Sequence, residues 1–293
     1  MIEQALLEHL QVQCALCPFL ARYAGQMAIF NQEAPADQDL LWEYGSQYGR
    51  IVFAVDIQGD PERTMGGTLA VDIMCKKDEQ VPEEIEPIVR SLIHGYFFSN
   101  GIFTVAAQFK NSSYFTQADD EVIGCTIAFD LLAFPIITTA APDVISRFNE
   151  WTKARFPDLH VINLDKLPTA AWKPSDGDSA IYWRLVQEVP SKRARDNFHT
   201  IWRDATVKGH IFSVDNATMA DVGKHIIVRL YADKRMFKDG ESPLMVNWNN
   251  TIVFGADPLR SGQVTVEATY GEIVYRKTDA VIQHINTSER SST

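Results

Sequence analysis

The sequence lacks the segments that carry a chain into or across a membrane. Its start, Met1–Leu10, does not combine basic residues with an apolar run, so we expect no secretory signal. No window holds about 18 apolar residues free of charge, so no transmembrane helix is predicted. We therefore expect no membrane partner and assembly in a cytoplasm.

Positive charge is also scarce. The chain has 27 Lys and Arg against 38 Asp and Glu, a net charge of −11. General binding to duplex nucleic acid needs a basic surface, so this balance argues against it. A local basic patch is still compatible with the composition.

Cysteine is present at four positions. Cys14 and Cys17 form a C-x-x-C, which is half of a zinc site, but a second C-x-x-C or a histidine pair is missing. Whether Cys14 and Cys17 bind a metal stays open. Cys75 and Cys125 share the apolar parity of predicted strands, which indicates small core residues. Disulfides are not expected in a reducing compartment.

Catalytic signatures are missing as well. The sequence has no nucleophile elbow, no phosphate-binding P-loop and no dinucleotide fingerprint. None of the seven histidines stands at ligand spacing from a cysteine or aspartate: His9, His94, His160, His199, His210, His225 and His284. We predict no cofactor and no enzymatic activity.

The chain is organised around Arg50–Pro135. Arg50–Ile57 and Thr68–Cys75 alternate apolar and polar residues with a period of two, which predicts strands with one buried face. Pro82–Phe98 changes to helical spacing. Two further strands are predicted near Ile102–Phe109 and Val122–Phe134. Lys110–Glu121 between them is predicted to be an exposed hairpin tip.

The flanking segments complete the prediction. We predict a helix over Ile2–Tyr23 with either a kink or a junction of two helices at Pro18, and an aromatic loop over Asn31–Gly49. Asp143 is a predicted helix N-cap. The remaining elements are predicted strands and one helix: Leu159–Leu164, Ala180–Glu188, Asn197–Ser213, Asp215–Tyr231 (the helix), Leu244–Phe254 and Gln263–Tyr275.

Both halves of the chain read helix, strand, strand, helix, strand, strand. The fold class is therefore predicted as α+β, with two tandem domains that each pack two helices on a mostly antiparallel sheet. We place the domains at residues 1–138 and 139–276, the second a possible duplication of the first, with a polar tail over residues 277–293.

Three carboxylates share the polar parity of their predicted strands: Asp56, Asp72 and Asp130. If those strands are neighbours, the carboxylates lie on one surface. Such a surface is either a metal or acid–base site or a wet face turned to solvent or a partner. No ordering histidine pair accompanies the three residues, which favours the wet face.

A family resemblance rests on the central stretch. The segment RIVFAVDIQGDPERTMGGTLAVDIMC at Arg50–Cys75 resembles prophage-encoded proteins of Gram-positive bacteria. An N-terminal helix precedes it, and PEEIEPIVR at Pro82–Arg90 and IGCTIAFDLLAFP at Ile123–Pro135 follow. This order, over about Met1–Pro135, is similar to tail terminator (tail-completion) proteins of tailed phages and phage-tail-like particles. The second half departs from a single-domain terminator.

The resemblance implies a structural role in the virion tail or neck. Tail terminators form a ring, usually of six subunits, which caps the tail tube and joins the head-side connector. The implied partners are other copies of the chain, the tube protein and the connector or neck protein, with DNA only passing through the lumen. Asp56, Asp72 and Asp130 would face the lumen or a partner. The implied contact residues lie near two hairpin turns: Gln58, Asp60, Glu62, Arg63, Met65, Ser112, Tyr114 and Asp119.

Two alternatives are open. One is a metal-dependent enzyme that uses Asp56, Asp72 and Asp130. The other is a different neck or baseplate adaptor.

Overall fold

The structure is a computed structural model that describes residues 2–58, 66–100, 103–117, 121–136, 142–192, 196, 199–237 and 242–273. In these ranges the protein is α+β, with four α-helices and two mostly antiparallel seven-stranded sheets, an arrangement compatible with two tandem domains. No helix in the described ranges is long and apolar enough to span a bilayer.

Each sheet carries two helices on one of its faces. The helices are α1 (Ile2–Gln11), α2 (Pro82–Ile93), α3 (Val144–Arg155) and α4 (Asn216–Asp233). Asp143 caps α3, as predicted, because its carboxylate accepts a hydrogen bond from the Ser146 backbone N–H at 3.0 Å. Pro82 opens α2 at a position where no backbone N–H is needed.

The first sheet has the strand order β10-β6-β7-β8-β5-β4-β3. Its strands are β3 (Ile29–Asn31), β4 (Arg50–Ile57), β5 (Gly67–Lys76), β6 (Phe97–Ser99), β7 (Thr104–Thr116), β8 (Val122–Phe134) and β10 (Ala171–Trp172). A separate two-stranded hairpin consists of β1 (Arg22–Tyr23) and β2 (Gln26–Met27).

The second sheet has the order β13-β14-β16-β12-β11-β9, and β15 also pairs with β16. Its strands are β9 (His160–Val161), β11 (Ala180–Pro190), β12 (Thr200–Phe212), β13 (Arg235–Met236), β14 (Leu244–Val246), β15 (Thr251–Ile252) and β16 (Val264–Ile273).

Alternation along the strands separates two faces in each sheet. The apolar face of the first sheet packs against α1 and α2, and that of the second against α3 and α4. The buried parity of β5 illustrates this, since Leu69, Val71, Ile73 and Cys75 are all enclosed. The opposite face of each sheet carries the polar residues.

The two halves meet at one end of these polar faces. There the apolar side chains on the ends of β6, β7, β8, β11 and β12 form a third buried cluster: Phe97, Ala106, Phe134, Ile162, Trp172, Ala180, Tyr182 and Phe212. The Phe97 and Phe212 rings lie 4.8 Å apart between centroids, and Phe134 and Phe212 lie 5.3 Å apart. The cluster fixes the halves against each other, and β10 extends the first sheet with a strand from the second half.

Four predicted elements differ from the structure. The first helix ends at Gln11, and a short 3₁₀ turn at Cys14–Leu16 and the strand β1 follow in place of a kinked helix. The second helix ends at Ile93, because Phe97 belongs to β6 and packs at the junction. The predicted strand Leu244–Phe254 is divided into β14 and β15.

The fourth difference concerns the predicted hairpin tip at Lys110–Glu121. The strand β7 continues to Thr116, so Lys110–Thr116 is strand. The pairing of β7 with β8 shifts register between Phe109 and Asn111 and then continues through the polar residues to Thr116.

Candidate functional site

The three predicted carboxylates lie on the polar face of adjacent strands β4, β5 and β8. Thr68 pairs with both Asp56 and Asp130, which puts those two carboxylates on one row across the sheet. Asp72 pairs with Thr126 on another row, four residues further along β5. The parity prediction for Asp56, Asp72 and Asp130 therefore agrees with the register.

The same register keeps the carboxylates apart. Asp56 and Asp130 are two strands apart, which corresponds to about 9–10 Å, and four residues along a strand span about 13 Å. A single metal ion needs its oxygen ligands within about 2.0–2.6 Å of itself. Asp56, Asp72 and Asp130 thus share a face without forming a chelating cluster.

Each carboxylate has its own polar partner. Asp72 accepts a hydrogen bond from Thr126 Oγ1 at 2.6 Å. Asp130 lies 3.3 Å from Lys110 Nζ and 3.9 Å from the guanidinium of Arg260, which belongs to the second half of the chain. Asp56 accepts a longer, weaker hydrogen bond from Gln58 Nε2 at 3.4 Å. All three carboxylates therefore have polar partners within the chain.

A search for other metal-binding arrangements gives the same result for the described residues, in which no three His, Cys, Asp or Glu side chains are grouped to hold a metal ion. Cys14 and Cys17 are exposed, and the thiol of Cys17 lies 3.8 Å from the Met27 sulfur. Cys75 and Cys125 are buried, as predicted, and burial is the main cause that raises the pKa of each thiol to about 11.

The three predicted contact residues that the structure describes, Gln58, Ser112 and Tyr114, lie toward opposite ends of the first sheet. Gln58 directly follows β4, and its backbone N–H donates a hydrogen bond to the Gly66 carbonyl at 3.0 Å, just before β5 begins. Ser112 and Tyr114 lie on the outer half of β7 near the β7–β8 turn. The pairings of Gly67 with Leu131 and of Lys76 with Val122 place the start of β5 and the start of β8 at opposite ends of the sheet. The other predicted contact residues lie outside the described ranges: Asp60, Glu62, Arg63, Met65 and Asp119.

Ser112 and Tyr114 have different surroundings. The Ser112 hydroxyl donates to the buried Glu86 carboxylate at 2.7 Å and so ties β7 to α2. Tyr114 is 52% exposed. Tyr114 is therefore available to a partner, whereas Ser112 has a structural bond within the first half.

Two long strands have open outer edges. The short β6 pairs with β7 only as far as Ala106, and β9 pairs with β11 only as far as Ile181. Beyond these residues, no other strand of the described ranges lies beside the outer edge of β7 or of β11. The open part of β7, Lys110–Thr116, carries mostly exposed side chains.

Three exposed features were missed or only weakly indicated by the sequence. In the second half, Trp248 is 70% exposed and stacks on Tyr231, and Phe237 is 73% exposed. In the first half, the aromatic loop turns Leu40 and Tyr44 to solvent. The Asn-Trp-Asn sequence at Asn247–Asn249 was the available signal, because a tryptophan between two amides does not fit a half-buried strand.

Comparison with known proteins adds no identity: no protein-family description matches the chain, and no characterised protein is similar to it at a significant level.

Proposed function

We propose that the protein is a structural component of a phage tail or phage-tail-like particle, a tail terminator that forms a ring on the end of the tail tube. It stops tube polymerisation and joins the tail to the head-side connector. In this role it has no catalytic turnover and no cofactor. Its location is the tail or neck of the virion, after assembly in the host cytoplasm.

The observation that carries the proposal is the pair of open edges on β7 and β11. Such edges pair with strands of other chains unless something blocks them. The two edges belong to different halves, so pairing between copies is heterologous, and a heterologous contact that closes gives a ring. The resemblance of residues 1–135 implies six subunits in that ring.

The placement of the two hairpin turns supports a role between two partners. The β4–β5 turn and the β7–β8 turn lie at opposite ends of the first sheet. A cap needs one surface for the tube and another for the connector. We propose that the Gln58 end contacts one of these partners and that the end with Tyr114 contacts the other.

The polar face of the first sheet supports a lumen or partner role. Asp56, Asp72 and Asp130 are distributed along this face, and the chain carries a net charge of −11. Acidic groups repel DNA phosphates, so DNA can slide past such a face without binding.

The connectivity supports duplication of one helix-strand-strand-helix-strand-strand unit. In the first sheet the long strands lie in the order β4, β5, β8, β7, and the corresponding order in the second is β11, β12, β16, β14 with β15. In each half one helix precedes the first long strand in the chain, and another follows the second long strand. A short strand also lies parallel to the first long strand in both halves.

Loss of the protein from the particle tests the role. We expect particles from a phage or prophage with this gene deleted to have tails of abnormal length that lack heads, and expression of the chain in trans to restore both. Normal, head-joined tails without the protein would contradict the proposal. A reconstruction that places the chain at the baseplate would instead support an adaptor.

A further inference from the structure

One segment of the second half covers an edge of the first half. Residues 162–179 connect β9 to β11, and within them Ala171–Trp172 forms β10 on the outer edge of β6. The Trp172 ring packs 5.4 Å from Phe97 between centroids and is 4% exposed. This connecting segment therefore seals the edge of the first sheet within one chain.

The equivalent edge of the second sheet is β13. It follows α4 and pairs with β14, just as β6 follows α2 and pairs with β7. In the described ranges no strand lies on the outer side of β13. Among the described strands, the same position is thus covered in the first half and open in the second.

The surface around β13 is apolar and cationic. Trp248 stacks on Tyr231 with ring centroids 5.4 Å apart, and the Tyr231 hydroxyl donates to the Trp248 carbonyl at 2.8 Å. The Lys234 amine lies 5.4 Å from the Trp248 ring. Phe237 follows β13 and is 73% exposed. We call Tyr231, Lys234, Arg235, Phe237 and Trp248 the β13 patch.

Among the described residues, the acidic side chain next to Lys234 in the chain does not neutralise this patch. Asp233 is engaged by Trp151, Arg155 and Arg229, at 3.0, 2.8 and 3.5 Å. The exposed charges of the β13 patch are therefore the cations Lys234 and Arg235.

The segment equivalent to residues 162–179 is residues 32–49, which connects β3 to β4 and is equal in length. It is held in place by Trp42, whose ring packs 5.0 Å from Tyr23 and 5.7 Å from Phe30. From this base it turns Leu40 and Tyr44 outward, at 97% and 96% exposure. Tyr44 has a φ of 57°, a strained conformation for a non-glycine residue. We call residues 32–49 the acidic loop.

The acidic loop complements the β13 patch in charge as well as in apolarity. It contains Glu33, Asp37, Asp39 and Glu43 and no Lys or Arg. Arg50 pairs with Asp37 at 2.7 Å, so Glu33, Asp39 and Glu43 supply the net negative charge of the loop. The acidic loop belongs to the first half and the β13 patch to the second, and their charges are opposite. This arrangement favours contact between the loop of one copy and the patch of another over contact within one copy.

We propose that copies of this chain bind head to tail, with the acidic loop of one copy on the β13 patch of the next. Contact between copies then repeats the contact that residues 162–179 make within the chain. The inference rests on the proposed ring and adds, beside the pairing of the β7 and β11 edges, a second contact between neighbouring copies.

Two variants with opposite defects test the inference. Leu40→Lys puts a cation opposite Lys234 and Arg235, and Trp248→Glu puts an anion opposite the acidic loop. We expect each variant to assemble on the order of 30-fold more weakly than the wild type, measured by mass photometry over a concentration series. Val81→Lys is the control, because it also replaces an exposed apolar side chain (45% exposed) by a charged one, outside both surfaces. It should assemble like the wild type.

Mixing decides the geometry. In an equimolar mixture, the intact loop of the Trp248→Glu chain can bind the intact patch of the Leu40→Lys chain. We therefore expect assembly to return, in complexes that pair one copy of each variant. If both variants fold by circular dichroism and assemble like the wild type, or if the mixture restores nothing, the inference is wrong although a ring can persist. A monomeric wild type would overturn the ring itself.

Discussion

Thr126 Oγ1 donates a hydrogen bond to Asp72 Oδ1 at 2.6 Å, across directly paired positions of β8 and β5. The second half repeats the bond: Thr269 Oγ1 donates to Asp204 Oδ1 at 2.6 Å, across paired positions of β16 and β12. In both sheets the pair joins, on the polar face, the second and the fourth long strand in chain order, which are neighbours in the sheet. The same side-chain chemistry at the same position of the fold supports the proposed duplication.

Replacing either threonine tests this relationship. Thr126→Val and Thr269→Val keep the β-branched shape but remove a hydrogen bond to a charged acceptor. Thr269→Val also removes the contacts of the Thr269 hydroxyl with the Asn247 side chain at 3.2 and 3.3 Å. We expect each to lower the free energy of unfolding by about 1–2 kcal/mol, measured by urea denaturation. A loss in both variants, at least as large for Thr269→Val as for Thr126→Val, would support equivalent roles.

Thr265→Val is the matched control. Thr265 lies on the same face of β16, opposite Lys208, and no side-chain hydrogen bond is found for it in the described ranges. We expect a change within about 0.5 kcal/mol. A loss at Thr265 as large as at Thr269 would show that the hydrogen bond is not the cause.

The aromatic junction should couple the two halves. Phe212 is 3% exposed and contacts Phe97 and Phe134 from across the junction. We expect Phe212→Ala to cost about 3–5 kcal/mol and to separate unfolding of the halves into two calorimetric transitions. One unchanged transition in this variant would contradict the coupling.

Much of this fold could be predicted from the sequence because strand alternation is a local signal. The positions of Asp56, Asp72 and Asp130 on one face follow from parity alone. The burial of Cys75 and Cys125 follows from the same parity, and the cap at Asp143 follows from its residue type before a helical pattern.

The junction could not be predicted in this way. Phe134 and Phe212 lie on the polar parity of their strands, where an apolar residue has no local explanation. Their burial depends on contact between segments about 80 residues apart, which periodicity does not report. The division of Leu244–Phe254 into β14 and β15 likewise depends on the packing of the second half.

Stability should depend on pH through His94. Burial, then the charges of Lys173 and Arg90, lower the pKa of His94 below its ordinary 6.5, and its Nδ1 accepts the Phe109 backbone N–H at 3.1 Å. Because the folded-state pKa lies below the unfolded one, this contribution is complete above about pH 6.5 and is lost as the pH falls.

His94→Asn should flatten that dependence, since its amide oxygen can accept the same bond without titrating. The urea midpoint of the wild type should fall between pH 7 and pH 5, and that of the variant should fall less. The remaining slope belongs partly to His9, whose pKa burial also lowers. Equal slopes in both proteins would contradict the role of His94.

Metal analysis separates the structural account from the enzymatic alternative. We expect purified protein to carry no stoichiometric divalent ion by elemental analysis, because Asp56, Asp72 and Asp130 are too far apart to chelate one. One bound ion per chain in the wild type, lost in Asp72→Ala, would establish a metal site on this face.

The most direct test of the central claim is the mass and shape of the assembled protein. Mass photometry and negative-stain imaging of the purified chain, alone and with tail tubes, should show a closed ring that caps tube ends, with the six subunits implied by the resemblance. A chain that stays monomeric at micromolar concentration and leaves tube ends bare would contradict the account.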